Sequence, residues 1–227
     1  AEVNSVSYAT LAEAIDAAQD GETVKLLDST TCTENTDLTE VKSVTVDFAQ
    51  HTFTGDNKNI AIRSKAEGAG VLTLMNGTIT TGDGTYCTLG AANGSAIVVK
   101  DMILNNSTAF GGSVKAFPGG TIELRDSQLN SVKGGGVAAA GGTVNIYNSK
   151  IDQKEYYDWN SMIAAASNGT GVVNIYGGEF TSENYGLYIF TSGGTINVYD
   201  GTFTVTGDKP VLKADLDLGS YPNAVAE

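Results

Sequence analysis

Proline, cysteine, histidine, tryptophan and basic residues are all scarce in this chain of 227 residues. Two cysteines, Cys32 and Cys87, allow at most one bridge, which excludes a disulfide-dense scaffold. With 3 prolines and no Gly-X-Y period, collagen-like and proline-rich classes fall away. The single histidine, His51, has no His, Cys or acidic partner at ligand spacing and reads as a bystander. Thirteen Lys+Arg stand against 26 Asp+Glu, a net charge of −13. A phosphate backbone needs a basic face, so nucleic acid is excluded as a partner, and anionic lipid is disfavoured. No apolar run approaches the ~18 residues of a membrane helix, so no membrane insertion is expected. The chain starts Ala-Glu without Met, which suits a mature protein after signal removal or an excised domain.

Glycine is plentiful at 28 residues, with 26 Thr and 17 Asn. Thr favours strands, while Gly and Asn favour tight corners, so the composition points to a β-rich fold. An internal repeat then defines it. Val144-Asn145-Ile146-Tyr147-Asn148-Ser149-Lys150-Ile151 aligns with the octets that start at Val173 and Ile196. The rule is apolar, polar, apolar, any, Asn/Asp/Gly, small, any, apolar. Leu72–Ile79 and Ile122–Leu129 obey it. Ile97–Leu104 departs at Val98 and Met102, and Val44–Phe53 needs two extra residues near Ala49-Gln50. The anchors at 44, 72, 97, 122, 144, 173 and 196 are 28, 25, 25, 22, 29 and 23 residues apart. A third short strand follows most octets, as at Ile60–Ile62, Gly136–Ala140, Met162–Ala165 and Gly186–Phe190.

Three short strands per repeat describe one coil of a parallel β-helix, with coils stacked ~4.8 Å apart. A propeller would need blades of ~40 residues or more. The expected fold is therefore all-β: a right-handed parallel β-helix, or solenoid, of about eight three-strand coils, as one domain over 1–227. Thr10-Leu11-Ala12-Glu13 reads as a capping box, and Leu11, Ala14, Ile15 and Ala18 follow helical spacing. This predicts a capping helix over about 10–20 with Gly21 at C′, within a cap spanning 1–22. Coils are expected over 23–219, with 220–227 as a tail or a linker to a further domain.

The runs Tyr8–Ile15, Gly21–Leu27, Ser43–Phe48 and His51–Gly55 carry a resemblance. They look like the opening of right-handed parallel β-helix proteins of the pectate-lyase-like superfamily, and are most similar to surface and adhesin-type members of gut bacteria. The resemblance covers residues 8–55, and the later coils by pattern. It implies a secreted or surface-displayed bacterial protein. It does not imply catalysis, because that superfamily mixes lyases, hydrolases, esterases and non-enzymatic adhesins. Its lyases use a carboxylate cluster for calcium and a basic proton acceptor. No stretch here matches those motifs, so no catalytic residue is carried over, and no cofactor or metal is expected.

Outward positions hold the candidate site residues. Asn145, Asn174 and Asn197 form one column, and Tyr147, Tyr176 and Tyr199 the next, over about 10 Å. Sugar rings in an extended glycan are spaced comparably, so the tyrosines are ligand-binding candidates; the alternative is a stack that only stabilises neighbouring coils. The longest step contains Lys154–Asn160, whose Tyr156, Tyr157 and Trp159 are binding candidates on a protruding loop. Asp101, Asp126 and Asp200 share a column with Asn76, Asn148 and Gly177, which favours turn chemistry over calcium ligation. Lys100, Glu123 and Arg125 are neighbours; they read as a surface ion pair, or as a proton-abstracting group for a uronic acid. Cys32 and Cys87 fall on different sides about two coils apart and are predicted to be free, buried thiols.

These features predict a non-catalytic secreted or cell-surface module for adhesion or glycan contact, whose partner is a glycan or a host cell-surface protein. The alternatives are a lyase or hydrolase of acidic glycans, and a structural spacer.

Overall fold

The computed structural model describes residues 1–32, 36–55, 60–82, 85–107, 112–154, 161–166, 170–183, 185–189 and 193–214. Within them the chain winds as a parallel β-solenoid with three faces. The first-face anchors stack in register: Val44 on Leu72, then Ile97, Ile122, Val144, Val173 and Ile196. Phe53, Ile79, Leu104, Leu129, Ile151, Phe180 and Phe203 do the same on the second face. On the third face, Ile62, Leu89, Val114, Val137, Ile163, Leu187 and Leu212 align. The third-face sheet holds eight strands, from Thr36–Leu38 to Leu212–Ala214. The three inward columns merge into one continuous apolar core.

Every coil turns from first to second face at a single sharp corner. Asn76, Asp101, Asp126 and Asn148 all have φ between 43° and 60° there. Asn and Asp tolerate this left-handed conformation better than other non-glycine residues. The column is therefore turn chemistry, as the substitution pattern indicated. The two extra residues of the early coil, Ala49 and Gln50, also have positive φ, and the Gln50 amide donates to the Asn76 carbonyl. In the last coil Gly201 takes the positive φ, and a register shift precedes it. At Gly77 a Cβ would collide with the Phe48 side chain and lie 2.7 Å from the His51 carbonyl, so only glycine fits.

The second corner is built differently. Gly55, Thr81, Asn106, Ser131, Gln153 and Ser182 stack there, each two residues beyond a second-face anchor. The five with side chains are almost fully buried. They bind one another and the turning backbone. Thr81 and Thr88 hydroxyls lie 2.9 Å apart, Asn106 donates to Ser113 at 2.7 Å, and Ser182 donates to Gln153 at 2.7 Å. Ser131 and Gln153 both donate to the Gly134 carbonyl. Pairing of this kind offsets the cost of burying these polar groups.

The helix spans Leu11–Ala17, with Thr10 and Glu13 completing the capping box. It is shorter than the predicted 10–20. Ala18, not Gly21, lies at its end, in extended conformation. The first coil captures the chain: Asp20 accepts from the Ser43 amide, and the Gly21 amide donates to the Ser43 carbonyl. Lys42 donates to the Asp16 carbonyl at the helix C-terminus. Leu11, Ala14 and Ile15 are buried in the core, so the helix closes one end of the column. At the other end Val198 is 47% exposed, whereas its partner Ile175 is fully buried.

Cys32 and Cys87 are free thiols. Burial pushes the Cys87 thiol up to about 12. Cys32 is only half-buried, contrary to expectation, because it ends a short strand that, among the described residues, pairs on one side with Phe53–Gly55.

Asp37 links two third-face coils. Arg63 grips it through Nε at 2.6 Å and Nη2 at 2.5 Å, and Lys65 lies 2.9 Å away. Burial alone would raise the Asp37 pKa, but these two cations outweigh it and lower the pKa below the usual value. A depressed folded-state pKa stabilises the fold above the unfolded-state pKa, and that stabilisation fades as pH falls through the folded value. Asp37→Asn is expected to cost about 1–3 kcal/mol at pH 7. Urea unfolding should show the difference from wild type shrinking below about pH 4. A pH-independent difference would contradict this role.

Candidate functional site

An ordered surface feature lies on the first face and its corner. Stacking of the coils brings their outward residues together, even at Tyr176 and Tyr199, where the ladder shifts by one residue. Tyr147 and Tyr176 stack with centroids 4.6 Å apart and planes 6° from parallel. Tyr176 and Tyr199 continue the row at 4.9 Å and 3°. The Arg125 guanidinium covers the other side of Tyr147 at 4.0 Å, a cation–π contact that extends the row to a fourth coil. Beside it, Asn197 donates to Asn174 and Asn174 to Asn145, at 2.8 and 2.9 Å. Both expected columns thus exist. The ring orientation sets their chemistry: Tyr147 and Tyr176 turn their faces to neighbours and only their edges outward. Tyr199, last in the row among the described residues, is 64% exposed, against 42% for Tyr176. The Tyr176 pKa lies above the ordinary value, first through desolvation, then through Tyr147 and Tyr199 beside it.

Arg125 also binds Glu123 on its own strand, with Nη2 2.6 Å and Nε 2.9 Å from Oε2. This hydrogen bond raises the Arg125 pKa further. A guanidinium held protonated by a carboxylate and stacked on a ring is a poor proton acceptor. Lys100 pairs in register with Arg125, so the three residues are neighbours as the spacing indicated. Tyr156, Tyr157 and Trp159 lie outside the described residues.

Next to the tyrosine row, a groove of about 540 Å³ follows the first corner. Asp101, Asp126 and Asn148 form its first-face side. Ile103, Gln128, Lys150 and Glu179 form the second-face side, on four successive coils. Met102, Ser127 and Ser149 are buried beneath. The two serines knit the floor: Ser127 Oγ accepts from the Met102 amide, and Ser149 Oγ from the Ser127 amide, each at 3.2 Å. Asn148 donates to Asp126 at 2.8 Å, and Lys150 lies 3.5 Å from Glu179. Sequence reasoning missed this groove. Its signal was present in the polar residues directly before the second anchor, Gln128, Lys150 and Glu179, which follow the Asn/Asp/Gly corner by two positions.

Comparison with known proteins finds no matching family model, no matching curated protein and no matching solved structure. The fold therefore defines the chain by architecture: a parallel β-solenoid with a helix closing one end of its core.

The stack makes a graded prediction. Among the described residues Tyr176 has two ring neighbours and Tyr199 one. At ~0.5–1.5 kcal/mol per aromatic contact, Tyr176→Ala should destabilise the protein about twice as much as Tyr199→Ala. Urea midpoints of the two variants measure this, and equal losses would mean that the stack contributes nothing.

Proposed function

We propose that this solenoid is a non-catalytic module of the secreted or cell-surface type, acting in adhesion through contact with glycans. The carrying observation is the tyrosine row, in which Tyr199, its last member among the described residues, is 64% exposed. An exposed aromatic face packs against the C–H surface of a sugar ring, and the ring edges and hydroxyls of Tyr147 and Tyr176 offer polar contacts once per coil. The resemblance of residues 8–55 to surface members of the pectate-lyase-like superfamily supports the same reading and a bacterial source. The partner is then a glycan, free or carried on a cell-surface protein.

A spacer role is the second reading, favoured by the mutual covering of the ring faces of Tyr147 and Tyr176. Under that reading the row only ties coils together, and no surface patch matters.

A glycan array of the whole chain separates the two. Contact predicts binding that falls about tenfold or more in Tyr199→Ala, consistent with the loss of one stacking interaction. Absence of binding across the array, with the protein folded, leaves the spacer reading.

A further inference from the structure

We infer that the first-corner groove is a binding site for a neutral oligosaccharide laid along the solenoid axis, one sugar unit per coil. This rests on the glycan reading above and adds a second place of contact, separate from Tyr199, and the class of sugar. The groove's volume lies in the range of small-molecule sites, but its character does not match an apolar pocket. Its rim is built from carboxylates, amides and one ammonium, which suits a ligand that is polar along its whole length. Sugar hydroxyls both donate and accept. The rim answers with acceptors at Asp101, Asp126 and Glu179, amides at Gln128 and Asn148, and a donor at Lys150.

The spacing favours a chain over a compact molecule. Corner residues recur with each coil at Asp101, Asp126 and Asn148, and the facing residues recur at Ile103, Gln128 and Lys150. Successive coils are ~4.8 Å apart, comparable to the spacing of sugars in an extended glycan. Ile103, 43% exposed, supplies an apolar patch for sugar C–H groups at one end.

Charge decides the class. Three carboxylates face a single ammonium, which itself lies beside Glu179. The whole chain carries −13. Uronates and sulfated sugars meet like charge both on approach and in the groove. A neutral chain meets no such penalty.

The test is calorimetric titration of the full chain with cellohexaose, xylohexaose, mannohexaose and hexagalacturonate. At least one neutral hexamer should bind, and hexagalacturonate at least about tenfold more weakly. The double variant Gln128→Ala/Lys150→Ala changes two side chains on the groove's second-face side. It should lose about tenfold in affinity for the neutral hexamer with an unchanged melting curve. The triple variant Asp101→Asn/Asp126→Asn/Glu179→Gln should narrow the gap between neutral and acidic hexamers. Preference for hexagalacturonate overturns the inference. So does unchanged binding by the double variant when Tyr199→Ala loses it, and in that case the glycan reading survives. If wild type binds none of the four while its melting curve shows a folded protein, the inference falls; silence on the array as well would remove the glycan reading itself.

Discussion

Vertical register is the constraint from which the rest follows. Each coil lies so that residue falls over equivalent residue, as Val144 does over Val173 and Val173 over Ile196. A shift of one residue would turn every inward side chain out, because side chains alternate along a strand. Burial of the inward columns therefore fixes the register, and each coil depends on its neighbours for that burial. Corners are the points where this could fail. Left-handed Asn and Asp at the first corner, and the buried hydrogen-bonded column at the second, absorb the turns without interrupting the stack.

The same register creates the outer surface. Side chains that are far apart in sequence become vertical neighbours, so identical residues build ladders. The asparagine ladder and the tyrosine row are direct consequences of it. The row ends where a basic residue replaces the aromatic, and Arg125 still stacks on Tyr147 while holding Glu123. The groove likewise needs no dedicated insertion. It forms where corner residues and the outward residues that follow them repeat over four coils.

Much of the fold was legible in the sequence because a period of two and a recurring corner are strong local signals. The anchors from 44 to 196 all pair as the repeat indicates, and the allowance for Ala49-Gln50 falls on two left-handed residues. Other features depended on distant partners. The helix stops at Ala17 because the first coil claims Asp20 and Gly21, a contact that no helix signal encodes. The buried column at Thr81, Asn106, Ser131 and Gln153 looks polar, and so outward, until the second corner turns it inside. Tyrosine spacing was readable, but the direction of the ring faces was not, and that direction leaves Tyr199 the most exposed ring of the three. The groove escaped notice because it joins side chains from two faces.

The most direct test of the register is a cysteine cross-link between successive coils. Asn145 and Asn174 are paired, so their Cα atoms stand ~4.8 Å apart, within bridging range. Asn145 and Val172 are offset by two residues, about 8 Å apart and out of range. On mild oxidation, Asn145→Cys/Asn174→Cys is expected to form the bridge, seen by mass spectrometry of its peptides, while Asn145→Cys/Val172→Cys does not. Efficient bridging in the offset pair, or none in the aligned pair, would contradict the stacking on which the tyrosine row and the groove both stand.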